Sequence, residues 1–91
     1  MDIEVTHDEI NKRFVAEIDE YEAFLSYNIS NDIIDLSYAY TPPELRGKSI
    51  AKIIVEYAFN YAKENNLKVV PTCSYVIAFV ERYDNYKNLL A

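Results

Sequence analysis

The chain has 91 residues, of which 51% are hydrophobic and 26% are charged. This length allows one compact core, so a two-domain enzyme is excluded and residues 1–91 are expected to form a single domain. Fifteen acidic and nine basic residues give a formal net charge of −6. That sign is unfavourable for a protein that neutralises phosphates along DNA or RNA, so we expect no nucleic-acid partner.

A single cysteine, Cys73, excludes an internal disulfide and a zinc site built from several cysteines. The sequence shows neither a basic-then-apolar leader nor a run of about 18 apolar residues that would cross a bilayer. We therefore expect a cytoplasmic protein with no metal site and no membrane partner.

Residues 11–40 are predicted to form three antiparallel strands, because apolar and polar residues alternate and polar turn residues separate the runs. The expected turns are Asp19-Glu20 and Ser30-Asn31-Asp32. A short strand is expected before them at Ile3–Val5. In the last run, alternation predicts one shared face for Ile34, Leu36, Tyr38 and Tyr40.

The second half of the chain changes periodicity after Thr41-Pro42-Pro43, where proline ends the strand. Spacing then predicts a helix, a short buried strand, a second helix and a final helical turn or two, at Ser49–Glu64, Leu67–Val70, Ser74–Arg82 and Asp84–Leu90. Ser49 is the expected N-cap, and Asn65-Asn66 the expected left-handed end. The predicted class is α+β: an antiparallel β-meander followed by a βαβ unit with a right-handed crossover.

The segment from Thr41 to Ala51 carries the most chemical information, since it joins a strand to the start of the longer helix. A helix start offers unpaired amide groups and a partial positive charge, which suit a phosphate or pyrophosphate. The only glycine, Gly47, lets the backbone approach such a ligand, and basic residues cluster there at Arg46, Lys48 and Lys52. The same features also fit a simple turn with solvated cations.

Two ordered motifs resemble a known family. The run Pro42-Pro43-Glu44-Leu45-Arg46-Gly47-Lys48-Ser49-Ile50-Ala51, followed by Leu67-Lys68-Val69-Val70-Pro71-Thr72-Cys73-Ser74-Tyr75-Val76, resembles the small single-domain branch of the GNAT-type N-acetyltransferases. The resemblance covers the chain from Phe14 to Leu90. It implies the GNAT-like (acyl-CoA N-acyltransferase) fold, with acetyl-coenzyme A as the acetyl donor.

The resemblance also implies a set of cofactor-binding residues. In the family, an Arg/Gln-x-x-Gly-x-Gly/Ala loop wraps the coenzyme A pyrophosphate, and Arg46, Ser49 and Ala51 match its fixed positions. The implied cofactor contacts are Tyr40, Thr41, Arg46, Gly47, Lys48, Ser49, Ile50 and Ala51. Ser49 replaces the middle glycine, so its Cβ narrows the approach, while its hydroxyl is free to cap the helix or to donate to phosphate. The pantetheine arm is expected between the strand ending near Thr41 and the strand Leu67–Val70.

Cys73 and Tyr83 are the catalytic candidates. Cys73 matches a cysteine common in the small branch, and a helix start favours its thiolate; a small buried residue at a tight passage is the alternative. Tyr83 is the candidate general acid for the departing thiolate, with Tyr75 second and packing as the alternative role of each. The branch usually carries histidines where this chain has Tyr38 and Tyr83. His7, the only histidine, lies outside any motif and is expected at the surface.

The sequence thus predicts transfer of an acetyl group from acetyl-coenzyme A to an amine, in a small molecule or a peptide, whose identity the sequence does not define. The acidic surface favours a cationic acceptor. Two alternatives stay open: a coenzyme A-binding module with little or no catalysis, and a small protein-interaction domain without cofactor. The oligomeric state is not predicted.

Overall fold

The structure, a computed structural model, describes residues 3–91. Its first half contains the strands β1 (Val5–Asp8), β2 (Arg13–Ile18), β3 (Tyr21–Ser30) and β4 (Ile33–Tyr40). Its second half contains a 3-10 turn (Pro43–Leu45), helix α1 (Ile50–Glu64), strand β5 (Lys68–Pro71), helix α2 (Ser74–Arg82) and a C-terminal 3-10 segment (Asp84–Leu89). The predicted elements are all present; α2 has the predicted ends, and the ends of several others differ by a few residues.

The strands form one sheet in the order β1-β2-β3-β4-β5. The first four are antiparallel, and β5 joins β4 in parallel because α1 carries the chain back across the sheet. The predicted α+β meander followed by a βαβ unit is confirmed. The first strand, expected at Ile3–Val5, instead runs from Val5 to Asp8, because it pairs along β2 from Ala16 to Arg13.

Both predicted hairpin turns are confirmed as two-residue turns. Asp19 and Glu20 have φ values of 49° and 72°, and Asn31 and Asp32 have φ values of 51° and 64°. Positive φ at both central positions is the geometry of a type I′ turn, whose twist matches that of the flanking strands. The meander is therefore closed by local backbone geometry as well as by its apolar face.

A β-bulge interrupts the pairing of β3 with β4. Tyr27 pairs with Leu36, whereas the preceding residue Ser26 pairs with Tyr38, so Ser37 is an extra residue in β4. The Ser37 hydroxyl donates a hydrogen bond of 3.2 Å to the Ser26 carbonyl oxygen. The bulge bends β4 and shifts the alternation of its side chains by one residue.

The shared face predicted for the β4 side chains is wrong at its second half because of this bulge. Ile34 and Leu36 are buried, but Tyr38 and Tyr40 are 56% and 39% exposed. Both tyrosine rings lie beside the ring of Phe24 on the outer face, at centroid distances of 6.0 and 5.8 Å. The alternation of apolar and polar residues along one strand does not reveal that a residue is inserted relative to its partner strand.

The core lies between the inner face of the sheet and the two helices. Helices α1 and α2 pack together through Phe59 and Phe79, whose ring centroids are 5.8 Å apart. The largest fully buried side chains are Phe14, Leu25, Ile34, Leu36, Leu45, Ile50, Ile54, Val55, Phe59, Val69 and Val76. Within residues 3–91, all buried apolar residues join one cluster, and no helix is both long and apolar enough to cross a membrane.

The expectation that His7 lies at the surface is wrong. Its side chain is only 12% exposed, because pairing of β1 with β2 places it opposite Phe14 on the inner face. The imidazole stacks on Phe14 at 4.6 Å, meets the edge of Tyr61 at 4.7 Å and hydrogen-bonds the hydroxyl of Tyr27. His7 is thus part of the packing that attaches β1 to the domain.

Helix α1 ends as predicted, in a left-handed residue. Asn66 has a φ of 57°, and the Leu67 amide donates to the Ala62 carbonyl at 2.8 Å. This bond closes the last turn of the helix and redirects the chain into β5.

Candidate functional site

The loop between β4 and α1 is closed by its own hydrogen bonds. The amides of Leu45 and Arg46 donate to the carbonyl oxygens of Pro42 and Pro43 at 2.9 and 3.2 Å. The Arg46 Nε donates to the Thr41 carbonyl at 3.1 Å, and Leu45 is 2% exposed. The Leu45 side chain thereby anchors the loop in the core, and Arg46 ties its two ends together.

Two residues of this loop have left-handed backbone conformations. Gly47 has a φ of 79°, and a Cβ placed there would meet no atom within 4 Å, so glycine is favoured by conformation rather than by space. Ser49 has φ 60° and ψ 22°, a conformation that costs about 1 kcal/mol or more for a residue with a side chain. Ser49 is the N-cap by position, but its side chain makes no capping hydrogen bond. The extended conformation typical of a capping serine is absent.

A cavity of about 290 Å³ opens over this loop, lined by Thr41, Leu45, Arg46, Gly47, Ser49, Ile50, Ala51 and Tyr75. We call it the loop cavity. Six of the predicted cofactor-binding residues line it together: Thr41, Arg46, Gly47, Ser49, Ile50 and Ala51. Lys48 and Tyr40 are exposed residues outside this lining.

A second cavity of about 440 Å³, which we call the interhelical cleft, adjoins the first between α1 and α2. It is lined by Ser49, Lys52, Tyr75, Ala78, Phe79, Arg82 and Tyr83. Ser49 and Tyr75 line both cavities. The two cavities therefore form one continuous depression from the helix start to the end of α2.

The Tyr83 ring contacts two cations in the interhelical cleft. Lys52 Nζ is 5.0 Å from the centre of its ring, and Arg82 Cζ is 5.7 Å from the same point. The ring also packs on Phe79 at 5.0 Å. These contacts are cation–π interactions, which hold both positive groups near the cleft.

The charge of the site is opposite to that of the protein. Arg46, Lys52 and Arg82 line the two cavities, and no carboxylate does. Among residues 3–91, the ion pairs of basic side chains with carboxylates involve His7, Arg13 and Lys87. A chain of net charge −6 thus concentrates unneutralised positive charge at the start of α1, which is suited to an anion.

Tyr75 occupies the junction of the two cavities. Burial raises the pKa of its hydroxyl above the ordinary 10.0, and the nearby Tyr83 acts in the same direction. The charges of Lys52 and Arg82 oppose this rise in pKa, whereas that of Glu56 adds to it. At neutral pH the hydroxyl is protonated and can donate a hydrogen bond into the site.

Cys73 lies where predicted, directly before α2, but it lines neither cavity. It is 9% exposed, and its amide donates to the Leu36 carbonyl at 2.9 Å. That bond continues the contact between β4 and the chain leaving β5. Tyr83, the other catalytic candidate, lines the interhelical cleft.

The parallel pairing of β4 with β5 stops early. Ile33 to Leu36 pair with Lys68 to Pro71, whereas β4 continues to Tyr40. Among the described residues, no strand pairs with residues 37–40 on the β5 side. The two strands separate at the bulge, next to the loop cavity.

The contribution of α2 was missed by the sequence reasoning, apart from Tyr75 in the helix and Tyr83 directly after it. Ala78, Phe79 and Arg82 follow Tyr75 at three, four and seven residues, so they share one face of the helix. This spacing was visible in the sequence. The spacing does not show which face of α2 lies beside the loop, because that depends on how α2 packs against α1.

Comparison with known proteins gives consistent matches. The model of the family described as GCN5-related N-acetyl-transferase matches residues 13–89. Protein NATD1 of Gallus gallus is 30% identical over 82 residues, which cover 87% of this chain and 74% of the relative. Protein NATD1 of Homo sapiens is also 30% identical, over 87% of this chain and 73% of its own length.

A solved structure has the same fold. The NMR solution structure of a GCN5-like protein from Staphylococcus aureus matches with a TM-score of 0.77 and 26% identity, covering 97% of this chain and 87% of that chain. The family match spans most of the described strands and both helices, including the whole loop from Thr41 to Ala51. The chain belongs to the GCN5-related N-acetyltransferase family.

Proposed function

We propose that this protein binds acetyl-coenzyme A in the loop cavity and the interhelical cleft, and that it transfers the acetyl group to an amine. The observation that carries the proposal is the convergence of Arg46, Gly47 and Ser49 on one cavity at the start of α1. Arg46 in that cavity, with Lys52 and Arg82 in the adjoining cleft, supports an anionic ligand in an otherwise acidic chain.

The start of α1 is suited to the pyrophosphate of the coenzyme. The first intrahelical bond runs from the Ile53 amide to the Ser49 carbonyl at 3.2 Å, so the amides that precede Ile53 in the first turn have no acceptor within the helix. These amides and the helix dipole favour a bound phosphate. The Ser49 hydroxyl, which caps no amide, is a further donor for the same group.

The gap between β4 and β5 is suited to the pantetheine arm. Past Leu36 the bulged part of β4 has no strand neighbour on that side, and an extended ligand with amide groups can add to such an edge. The thioester would then lie near Tyr40 and Thr41, whose backbone amides are our candidates to hold the oxyanion.

The reaction we propose is direct transfer. The lone pair of an uncharged amine attacks the thioester carbonyl carbon, the C–S bond breaks, and the sulfur leaves as a thiolate that takes a proton. The proton lost by the amine nitrogen passes to water. Tyr83 is the proposed proton donor to sulfur, and Tyr75 is its competitor because burial keeps its hydroxyl protonated.

The burial of Cys73 bears on its proposed catalytic role. A residue that is 9% exposed and lines neither cavity reaches the thioester only if the ligand enters the gap between the strands. Replacement by alanine therefore separates the two roles: a reactive thiol is required for turnover, whereas a packing residue affects stability alone.

The outer face of the sheet is the proposed side of approach for the acceptor. Helices α1 and α2 cover the inner face, and the bulge turns Tyr38 and Tyr40 outwards beside Phe24. On this face Glu22 is paired with Arg13 at 3.0 Å, and the Arg13 guanidinium lies over the Phe24 ring. Strand pairing places the Asp35 carboxylate on the same face. The exposed rings of Tyr38 and Tyr40 and this carboxylate together favour a cationic amine.

A coenzyme A-binding module with little catalysis is the second candidate function. It is favoured by one observation, that neither cavity is lined by an imidazole or a carboxylate that would accept the proton of the amine. Both candidates require the coenzyme, so turnover separates them.

The test begins with calorimetry of coenzyme A binding and continues with acetyl-coenzyme A consumption over a panel of amines. We expect binding, and turnover with at least one cationic amine that Tyr83→Phe slows by about 10²-fold or more. Tyr75→Phe is the matched variant. Binding without turnover on any amine would favour the module, and no binding at millimolar coenzyme would leave an interaction domain.

A further inference from the structure

We propose that the outer face of the sheet, together with the end of the β2–β3 hairpin, is a docking surface for a basic polypeptide segment. The inference rests on the proposed function, which places the thioester near Tyr40 and Thr41. It names the partner that would bring a lysine side chain to that point.

The first support is a row of apolar side chains across the outer face. Val15 lies opposite Phe24, and Phe24 lies opposite Tyr40, so the row crosses β2, β3 and β4. Tyr40 and its neighbour Tyr38 are 39% and 56% exposed. The solvent face of an antiparallel sheet is normally polar, whereas exposed apolar groups rimmed by polar residues mark a surface for a partner.

The second support is the charge at the end of the hairpin. Glu17 and Glu22 lie opposite each other on the same face as the apolar row, and the turn between them consists of Asp19 and Glu20. Like charges opposite each other destabilise a strand pair. Arg13 offsets Glu22 at 3.0 Å, but within residues 3–91 the other three carboxylates form no ion pair. Sheet formation gives no reason for this charge, whereas a cationic partner does.

The third support is Asp35, which lies on the outer face of β4 one outer position before Tyr38. One of its carboxylate oxygens is buried and has no hydrogen-bond partner among the described residues. A buried polar atom without a partner leaves its charge uncompensated. The negative potential of the outer face therefore extends from the hairpin to β4.

The acidic hairpin end adjoins the proposed position of the thioester. Because Phe24 lies opposite Tyr40, Glu22 lies beside the point where β4 passes into Thr41. Neighbouring strands are about 4.8 Å apart, and two residues of a strand span about 7 Å. Residues that flank an acceptor lysine, at about 3.3 Å per extended residue, would thus reach the hairpin carboxylates.

The charge of the surface selects a basic polypeptide among the possible occupants. A second copy of this chain carries a net charge of −6 and would place acidic groups against acidic groups. Nucleic acid is repelled for the same reason. A small polyamine supplies positive charge, but a polypeptide also supplies side chains that cover the apolar row.

The test is fluorescence anisotropy with a labelled lysine-rich peptide and with a matched peptide in which glutamate replaces lysine. We expect the lysine-rich peptide to bind with and without coenzyme A, with an affinity that falls as salt is added, and the glutamate peptide not to bind. Glu17→Gln combined with Glu20→Gln should weaken binding by about threefold or more, as expected for two exposed ion pairs. Glu64→Gln combined with Glu81→Gln makes the same change of charge at exposed positions of α1 and α2. This matched control should keep the wild-type affinity.

Calorimetry with coenzyme A and competition with spermidine complete the test. The variants should bind coenzyme A as the wild type does. Failure of the peptide to bind, or equal losses in the hairpin variant and its control, would overturn the docking surface and leave the proposed function standing. Displacement of the peptide by spermidine at the same concentration of positive charge would assign the surface to a small polyamine and overturn the polypeptide partner. Failure of coenzyme A to bind would overturn the proposed function, whereas peptide binding in its absence would still support the docking surface.

Discussion

The guanidinium of Arg46 donates through Nε to the carbonyl oxygen of Thr41 at 3.1 Å. The bond joins the end of β4 to the residue before Gly47, so Arg46 braces the loop as well as contributing charge to it. A guanidinium has five N–H donors in a planar fork, and the use of Nε leaves the terminal groups for an anion. Bracing and anion binding are therefore compatible in one side chain.

We expect Arg46→Ala to weaken coenzyme A binding by about tenfold or more, because it removes a charged donor and the brace together. Arg46→Lys restores the charge but has no Nε, so its affinity should lie between those of wild type and alanine. Calorimetry measures both. Lys48 is an exposed cation outside the cavity lining, so Lys48→Ala should lose less affinity for coenzyme A than Arg46→Ala. An affinity of Arg46→Ala equal to that of wild type would place the site elsewhere.

Substitutions of Ser49 distinguish its effect on stability from its effect on coenzyme A binding. Because its hydroxyl makes no capping bond, Ser49→Ala should not show the loss of about 1 kcal/mol typical of an N-cap. Ser49→Val should lose about 1–2 kcal/mol or more, since its left-handed backbone disfavours a β-branched side chain. Urea unfolding measures these free energies. If the hydroxyl donates to phosphate, Ser49→Ala binds coenzyme A more weakly while remaining stable.

His7→Ala should lower the free energy of unfolding by about 2 kcal/mol, through lost ring packing and an unpaired Tyr27 hydroxyl. A double-mutant cycle with Tyr27→Phe isolates the hydrogen bond between the two side chains. Urea unfolding followed by circular dichroism is the measurement. A loss within 0.5 kcal/mol, roughly that of an exposed position, would contradict the buried environment.

Alkaline pH should destabilise the domain. Burial raises the pKa of Tyr27, Tyr75 and Tyr86 above 10.0 in the folded protein. A raised folded pKa means that the unfolded chain ionises first, so this stability is fully present below pH 10 and is lost as pH rises through the folded pKa values. Unfolding free energies measured at successive pH values should fall above pH 10, and less steeply in Tyr75→Phe. If the unfolding free energy of that variant falls with pH as steeply as that of the wild type, Tyr75 does not contribute to the loss of stability.

The outward direction of Tyr38 predicts a kinetic signature. Tyr38→Ala should raise the KM for a cationic amine several-fold, because it removes a cation–π contact with the acceptor. The KM for acetyl-coenzyme A should stay unchanged. Ile29→Ala, at an exposed position of β3, is the control. Equal effects on both KM values would argue against separate sides for donor and acceptor.

The sequence alone was sufficient for the order and type of the elements. Alternation and helical spacing predicted the meander, both hairpin turns and both helices, because local backbone preferences and one buried face act over a few residues. Of the eight cofactor-binding residues expected from the motif, six line one cavity, because they are nearly contiguous and lie at a helix start, whereas Tyr40 and Lys48 lie outside its lining.

Tertiary structure decided what depends on distant partners. One residue, Ser37, bulges from β4 and turns Tyr38 and Tyr40 outwards. The bulge is seen only in how β4 pairs with β3, because the sequence of β4 by itself shows regular alternation. Burial of His7 required β1 to pair beside Phe14. The meeting of Lys52 with Arg82 around Tyr83 required α1 and α2 to pack together, because residues 30 positions apart become neighbours only through the core.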